Sequence, residues 1–302
     1  MLIIDGQMHS WRNSFAKHWW GKKSVNHWRD GYQPVSGTDD WPIESVLAAM
    51  EAVGAHAAVL DALPSAIATL PDGTRRWSND YGEEASLRHP NVLASTARYE
   101  PTDPDIERLF QEARSTPGVV GVRLSIRTDR EAGLLRTGHY KRYLSAAEDN
   151  AIPVFIAASL HLDSLAPAIS AHPKVQFVVD HLGMPQPPLR QLDDPPFRRL
   201  PMLLDLARHD NVAVKFCGGP AYSAEGYPFA DVWRHLRLLV DRYGAERLMW
   251  ASDLTRFRGM YTYAELLNFI RYADVLSETE KSWILGRTLQ RILKWPMNEE
   301  TK

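Results

Sequence analysis

The sequence predicts a (β/α)8 barrel, or TIM barrel, with slightly elaborated loops. Short apolar segments alternate with longer amphipathic ones, and apolar runs without polar alternation are typical of parallel strands covered by helices. The length of 302 residues fits one such barrel, which usually takes about 250 residues plus loops. A doubly wound sheet is the alternative, but eight strand segments favour a closed barrel. Because no repeat or clear boundary interrupts the chain, we interpret residues 1–302 as a single domain.

Strands and helices are predicted in turn along the chain. The strands are predicted over Leu2–Asp5, Ala57–Leu60, Val92–Arg98, Val119–Leu124, Ile152–Ala157, Val175–Asp180, Val212–Phe216 and Arg247–Ser252. Helices are predicted where apolar residues recur at helical spacing. They cover Pro42–Val53, Asp105–Ser115, Tyr140–Asn150, Pro196–Arg208, Ala230–Tyr243, Thr262–Tyr272 and Glu278–Leu293.

Composition narrows the class of protein. Hydrophobic residues make up 44% of the chain, enough for a large core, and the formal net charge is −2 without a basic run, so nucleic acid is not an expected partner. No charged-then-apolar leader and no apolar run of about 20 residues is present, so we expect no membrane association. The single Cys217 suits a reducing compartment. We therefore expect a cytoplasmic protein that binds a small-molecule substrate; its oligomeric state is left open by the sequence, although a homodimer is common for such barrels.

Chemistry-bearing residues follow several predicted strands. In a barrel of this class, catalytic groups lie at the C-terminal ends of the strands. Gln7 and His9 follow the first strand and would share a face if it continues, since alternate strand residues point the same way. His181 follows the sixth strand and Asp253 the eighth. These strands are distant in sequence but would meet at one bowl, so we predict Asp253, His181, His9 and Gln7 as catalytic residues.

Positive and aromatic side chains are predicted to hold the substrate. The positive residues at strand ends are Arg98, Arg123 and Lys215. They are candidates for binding a substrate carboxylate, arginine through its bidentate fork. Trp11 begins an aromatic segment, Trp11–Tyr32, which we interpret as a lid or pocket wall, with a dimer contact as the alternative. Arg256 and Arg258 follow Asp253 and either bind an anionic substrate or face solvent.

Four segments in strand order carry a resemblance to a known family. They are Ile4-Asp5-Gly6-Gln7-Met8-His9, Phe177-Val178-Val179-Asp180-His181-Leu182-Gly183-Met184-Pro185, Val214-Lys215-Phe216-Cys217-Gly218 and Met249-Trp250-Ala251-Ser252-Asp253. They resemble the I-D-x-H-x-H, F-V-x-D-H-x-G-x-P, V-K-x-S-G and M-W-G-S-D segments of the amidohydrolase superfamily, in the branch labelled amidohydrolase 2. That branch contains hydrolases and lactonases such as 2-pyrone-4,6-dicarboxylate lactonase and L-fuconolactonase. The resemblance therefore implies a TIM-barrel hydrolase.

Three departures from the family pattern bear on metal binding. Gln7 replaces the first histidine, Cys217 a serine and Ala251 a glycine, and the fifth strand carries no histidine or lysine. A binuclear metal site is therefore not expected. If one metal binds, the resemblance implies His9, His181 and Asp253 as its ligands, with the Gln7 carbonyl oxygen as a weak fourth, since zinc favours nitrogen and sulfur donors. We expect either no required cofactor or one divalent metal, zinc or manganese.

The function expected from this pattern is hydrolysis of a small-molecule ester or lactone, in particular a carboxylated cyclic lactone. Asp253 would activate water, while His181 and His9 would polarise the carbonyl group or hold the water. One alternative is a metal-dependent non-oxidative decarboxylase, a lyase on the same barrel. Another is a non-catalytic barrel whose site has decayed, for which Gln7 is the only positive indication.

Overall fold

Eight parallel strands form the centre of the molecule in the computed structural model, which describes residues 1–11, 41–61, 67–187, 191–257 and 259–295. Neighbours in the sheet are also neighbours in chain order. The barrel strands are β1 Ile4–Met8, β2 Ala57–Leu60, β5 Leu93–Arg98, β6 Val119–Ser125, β7 Val154–Ala157, β8 Phe177–Val179, β9 Val212–Cys217 and β10 Leu248–Ala251. A separate antiparallel hairpin follows β2; it consists of β3 Ile67–Thr69 and β4 Arg75–Trp77.

The sheet curls so that its last strand returns to its first. The backbone N–H of Asp253, just beyond β10, donates to the carbonyl oxygen of Gln7 in β1 at 3.0 Å. The Asp5 carboxylate in β1 accepts from the backbone N–H of Ser252 at 2.9 Å. These two bonds join the edges that an open sheet would leave apart. The predicted (β/α)8 barrel is confirmed, with the strands nearly closed on themselves.

Helices surround the barrel. They are α1 Ile43–Val53, α2 Asp80–Arg88, α3 Ile106–Ser115, α4 Asp129–Arg136, α5 Lys141–Asp149, α6 Leu165–Ala171, α7 Leu200–Asp205, α8 Trp233–Tyr243, α9 Tyr263–Arg271, α10 Glu278–Ser282 and α11 Thr288–Leu293. A π-helical turn joins α10 to α11, so the helix predicted over 278–293 is continuous but wider at its centre. In the described part of the chain, no helix is long and apolar enough to cross a membrane.

Three helices, α2, α4 and α6, and the hairpin lie in connections for which no element was predicted. Helix α4 begins with a capping box, in which the Thr128 side chain and Glu131 exchange hydrogen bonds with each other's backbone N–H groups. This Thr-x-x-Glu pattern is a start signal visible in the sequence. Helix α2 has a polar composition overall and a single short apolar stripe. A helix of this kind is stabilised by tertiary packing more than by its own periodicity.

The core has two layers, and the inner one determines where chemistry can occur. Nearly every strand contributes a buried apolar residue to it, for example Ile4, Phe155 and Met249, and helix α11 adds Leu289 and other residues. The larger cluster packs the outer strand faces against the helices. Because the inner layer is apolar, the polar groups of the barrel are confined to the C-terminal ends of the strands, as expected for this fold.

Strand β1 extends further along the chain than predicted and is irregular. It ends at Met8 instead of Asp5, and its register with β2 shifts between Asp5 and Met8. At this irregularity the Asp5 carboxylate accepts from the backbone N–H of Gln7 at 3.0 Å. Regular alternation would place Asp5 and Gln7 on one face. Instead Asp5 accepts from the hydroxyl of Tyr263 in α9 at 2.8 Å, which leaves Gln7 directed toward the site.

Candidate active site

The amide of Gln7 lies between the two predicted catalytic histidines. Its Nε2 is 3.2 Å from Nε2 of His9 and 3.3 Å from Nε2 of His181. On the other side of the amide, Nζ of Lys215 donates to Oε1 of Gln7 at 3.1 Å. An ammonium group has only donors, so it fixes the amide with Oε1 toward Lys215 and the NH2 group toward the imidazoles. The predicted pair Gln7 and His9 thus does face the bowl, together with His181.

Hydrogen-bond partners assign the histidine tautomers. Nδ1 of His9 donates to the backbone oxygen of Asp61 at 2.8 Å, so its Nε2 keeps the lone pair that accepts from Gln7. Nε2 of His181 faces two donors, the Gln7 amide and Nη2 of Arg123 at 3.1 Å. In a neutral ring the remaining proton of His181 is then on Nδ1. His181 therefore presents an N–H donor on the side of Asp253, whose Oδ2 is 3.8 Å from Nδ1.

The two histidines are neutral at pH 7. Burial lowers the pKa of His9 to about 4, assisted by the positive charges of Arg123 and Arg98, although Asp253 acts in the opposite direction. Burial also lowers the pKa of His181 well below its usual value, and the adjacent Arg256 adds to the effect. A neutral imidazole with its N–H directed outward can donate a hydrogen bond to a carbonyl oxygen.

Asp253 is buried and only partly hydrogen-bonded. Its Oδ2 pairs with Nε of Arg256 at 2.6 Å. Its Oδ1 lies 3.1 Å from Nε2 of His9, and the described residues bring no other side chain to that oxygen. Burial by itself would raise the pKa of Asp253, but the positive charge of Arg256 holds it below its ordinary value. Asp253 is therefore an ionised carboxylate at neutral pH with one oxygen available to accept a proton.

His181 and Asp253 both have left-handed backbone conformations. The φ angle is 52° at His181 and 50° at Asp253. Such values cost non-glycine residues free energy and cluster at functional sites, where the surrounding structure enforces them. At His181 the turn continues through Leu182 and Gly183, which also have positive φ angles. These turns bend the chain sharply at the strand ends and point both side chains into the bowl.

The predicted substrate-binding arginines are paired with buried carboxylates. Arg98 donates from Nε to Asp61 at 2.9 Å, and Nη2 of Arg98 also contacts that carboxylate. Nη1 of Arg123 contacts Asp61 as well, while its Nε lies 2.8 Å from Asp180. Asp61, at the end of β2, was missed in the sequence. It follows a correctly bounded strand, so the same strand-end rule would have found it.

The Lys215 ammonium group is likewise bound by other residues of the protein. Its Nζ lies 2.8 Å from the Asp180 carboxylate and 4.3 Å from the ring centre of Phe155, in addition to its bond with Gln7. Lys215 and Arg123 also hold the pKa of Asp180 below its ordinary value, against the effect of burial. Binding of a substrate carboxylate by Arg98, Arg123 or Lys215 stays a prediction.

Arg256 lies among the predicted catalytic residues. Its side chain is 1% exposed, its guanidinium stacks 4.4 Å from the ring centre of Phe257, and its Nη2 is 3.5 Å from Nδ1 of His181. Space for it depends on Gly218, because a Cβ there would lie 2.3 Å from Phe257 and 3.1 Å from Nη2 of Arg256. The sequence left open whether Arg256 faces solvent; the structure places it in the interior.

Trp11 is buried, and its backbone forms an isolated antiparallel bridge with Trp41 at N–O distances of 3.0 and 3.2 Å. Its predicted contact with substrate stays a prediction. The remainder of the aromatic segment, residues 12–32, and Arg258 lie outside the described residues.

One group of metal-ligand atoms occurs in the described residues. The ligand atoms of His181, Cys217 and Asp253 lie within 4.8 Å of one another, and nitrogen, thiolate and carboxylate donors suit zinc. The charges around this group do not fit a divalent ion, however, because Arg256 already pairs with Asp253 and Arg123 with Nε2 of His181. Burial also raises the pKa of Cys217 well above its usual value, which opposes a thiolate.

Comparison with known proteins identifies the family. The sequence model of the Amidohydrolase family matches residues 4–295, so the chain belongs to that family. No match was found among the curated proteins.

Solved structures share the fold at low sequence identity. An amidohydrolase from Burkholderia multivorans with bound HEPES is 20% identical, with a TM-score of 0.76 over 98% of this chain and 100% of that one; another crystal of it contains zinc. A probable 2-pyrone-4,6-dicarboxylic acid hydrolase from Acinetobacter baumannii, with citric acid bound, is 19% identical, with a TM-score of 0.68 over 97% and 100%.

A third similar structure is a decarboxylase. It is 5-carboxyvanillate decarboxylase from Novosphingobium aromaticivorans, complexed with manganese and 4-hydroxy-3-methoxy-5-nitrobenzoic acid. It is 14% identical, with a TM-score of 0.68 over 97% of this chain and 96% of that one. These likenesses show the fold, and they include enzymes of two reaction classes.

Proposed function

We propose that this protein hydrolyses a small carboxylated lactone or a related cyclic ester. The observation that carries the proposal is the state of Asp253, a buried ionised carboxylate. Its Oδ2 is held by Arg256, while its Oδ1 faces Nε2 of His9, a nitrogen that carries no proton in the assigned tautomer. An available carboxylate oxygen beside two neutral imidazoles is the arrangement needed to deprotonate water near an electrophile.

This geometry supports the following reaction. Oδ1 of Asp253 takes a proton from water as the water oxygen bonds to the lactone carbonyl carbon. The carbonyl oxygen gains the π electron pair and accepts a hydrogen bond from Nδ1–H of His181, which stabilises the oxyanion. When the intermediate collapses, the ring C–O bond breaks and Asp253 returns its proton to the leaving oxygen. The product is a hydroxy acid, and the enzyme regains its starting state.

Each residue contributes through its position. His9 lies on the other side of the Asp253 carboxylate, with its Nε2 3.1 Å from Oδ1. Because His9 is neutral, it adds no positive charge that would neutralise the carboxylate. A lowered pKa makes Asp253 a weak base, so the rate would depend on holding water and carbonyl in contact. This positioning falls to the rigid network of Gln7, Lys215 and Arg123.

Bound molecules in the similar structures support an anionic substrate. HEPES, citric acid and a nitrobenzoic acid all carry acidic groups, although each belongs to its own protein. In the present chain three cationic side chains, Arg98, Arg123 and Lys215, share one ion-pair network with two carboxylates, Asp61 and Asp180, and Arg256 and Asp253 form a separate pair beside it. With neutral histidines, the network has one more positive than negative charge and would accept an anion.

A second candidate is a metal-dependent decarboxylase. The group formed by His181, Cys217 and Asp253 favours it, because such donors could hold one divalent ion. The cationic surroundings described above weigh against it.

Two sets of substrates would distinguish the candidates. Carboxylated lactones with five- and six-membered rings are tested by continuous pH-stat titration, and aromatic acids are tested for carbon dioxide release. Purified protein is assayed before and after chelation, with metal content measured by mass spectrometry. Hydrolysis releases acid without carbon dioxide and should survive chelation. Carbon dioxide release from aromatic acids, lost on chelation and restored by manganese, would instead establish the decarboxylase. No turnover of either class would favour a barrel whose site has decayed.

A further inference from the structure

We propose that Arg256 forms the binding site for a carboxylate of the substrate, next to the reacting carbonyl group. This inference rests on the proposed hydrolysis for the identity of the reacting group, but the binding site itself rests on the donors of Arg256. Arg256 lies outside the family segments, and the sequence left open whether it binds an anionic substrate or faces solvent.

Arg256 is distinguished from Arg123 and Lys215 by its spare donors. Arg123 directs all three nitrogens to protein partners, and Lys215 divides its ammonium between Asp180 and Gln7. Arg256 makes an ion pair through Nε with Asp253, while its Nη1 is buried without any hydrogen-bond partner in the described structure. A buried guanidinium with unused N–H groups costs free energy that an anionic ligand would recover.

Nη2 of Arg256 can also donate to a ligand, despite its contact with His181. Nδ1 of His181 carries the ring proton, so the 3.5 Å approach of Nη2 brings two donors together and does not satisfy either. The Nη1–Nη2 end of the fork is therefore the part of Arg256 that lacks an acceptor. A carboxylate has two oxygens at the spacing that this fork matches.

The position of Arg256 restricts the substrate. Its Nε is 2.6 Å from the proposed base Asp253, and its Nη2 is 3.5 Å from the proposed donor nitrogen of His181. A carboxylate bound on the fork thus lies within one or two carbon atoms of the carbon that water attacks. The substrate class is a small lactone whose carboxylate is attached close to the ester group.

The guanidinium is also held rigidly. It stacks on Phe257, and Gly218 provides the room for both side chains. A preorganised fork loses little entropy on binding, which increases the affinity that each hydrogen bond contributes. Lysine would retain the charge at this position but would lose the fork and the stacking.

The binding test uses lactam carboxylates, which resemble lactones but resist hydrolysis. Isothermal titration calorimetry measures 5-oxopyrrolidine-2-carboxylate and 6-oxopiperidine-2-carboxylate against their neutral carboxamides. Wild-type protein should prefer the carboxylates, and Arg256→Met should weaken their binding by about 10–100-fold while leaving the carboxamides unchanged. Arg256→Lys should fall between the two. Arg237→Met, on the outer helix α8, is the matched control and should behave as wild type.

Each outcome separates the two proposals. If Arg256→Met loses carboxylate preference but no lactone is hydrolysed, the anion site stands and the proposed reaction fails. If lactones are hydrolysed and Arg256→Met changes charged and neutral substrates equally, or if wild-type protein binds no carboxylate more tightly than its amide, the anion site is overturned. Thermal melting of each variant, which should remain cooperative, verifies that the fold is retained.

Discussion

Lys215 donates to Oε1 of Gln7 at 3.1 Å, and this single bond determines which end of the amide faces His9 and His181. Where the family pattern has a histidine, this chain has an amide that is held by a buried ammonium group. The NH2 group then occupies the lone pairs of both Nε2 atoms, at 3.2 and 3.3 Å. Gln7 is thus a positioning residue that fixes the location of the protons on two imidazoles that burial keeps neutral.

Gln7→Glu should raise the pKa values of His9 and His181. A carboxylate offers no donor to the Nε2 atoms and stabilises imidazolium charge, whereas the wild-type amide does the reverse. Histidine resonances followed by NMR against pH should titrate at higher pH in the variant. Gln7→Leu, which adds no charge, is the matched control. Unchanged histidine titration in Gln7→Glu would contradict the orientation assigned to the amide.

Asp253→Asn should reduce kcat by about 10²–10⁴-fold, because the amide is nearly isosteric but cannot accept a proton from water. Binding of the lactam probes should persist, since Asn retains an oxygen for Arg256. Steady-state kinetics on the most active lactone, with calorimetry of the probe, measures both effects. A variant with normal kcat would eliminate Asp253 as the base.

Gln7→His should increase metal affinity. The substitution replaces an amide, a poor zinc ligand, with an imidazole on the same strand as His9 and removes the donor that occupies both Nε2 lone pairs. Zinc content after dialysis against a defined zinc buffer is the measurement. Cys217→Ser in the same background tests whether the thiol contributes. Equal zinc content in wild type and Gln7→His would show that position 7 does not reach a metal.

Asp5 should make the stability of the barrel depend on pH. Burial raises its pKa to about 6, despite hydrogen bonds from Ser252 and Gln7. The folded state therefore binds the Asp5 proton more tightly than the unfolded chain, so this contribution to stability is present below about pH 4 and is lost as pH rises to about 6. The loss amounts to roughly 3 kcal/mol for a shift of about two pH units.

Urea unfolding of wild type and Asp5→Asn between pH 4 and pH 7 checks this expectation. Other titrating groups are common to both proteins, so the difference in unfolding free energy isolates Asp5. The unfolding free energy of wild type, relative to that of Asp5→Asn, should decrease as pH rises. A difference independent of pH would refute the raised pKa.

The order of the strands and the convergence of His9, His181 and Asp253 were predictable, because apolar runs and strand-end positions depend on local sequence and a repeated fold geometry. The limits of β2, Ala57–Leu60, agree with the prediction, whereas β1 runs three residues past its predicted end. The shift in β1 arises from an irregular register with β2, which involves atoms distant in sequence.

The pairing of charges was not predictable in the same way. Arg98, Arg123 and Arg256 carry a similar sequence signal, namely a position at or shortly after the C-terminal end of a strand. Which of them meets a buried carboxylate and which keeps unused donors depends on contacts such as that of Arg123 with Asp180, 57 positions away (180 − 123). Side-chain partners across a barrel are set by strand stagger and loop shape, which periodicity does not encode.

The bond from the Asp253 backbone to Gln7 that closes the barrel has a kinetic meaning as well as an architectural one. Asp253, the residue proposed to move the proton, also forms the backbone hydrogen bond between the first and last strands. Any fluctuation that breaks this hydrogen bond displaces the reacting carboxylate oxygen of Asp253, even while the other strand pairs remain intact. Enzyme activity should therefore depend on this contact between the first and last strands. In mild denaturant, activity should decline as hydrogen exchange at the Asp253 amide increases, before the barrel unfolds.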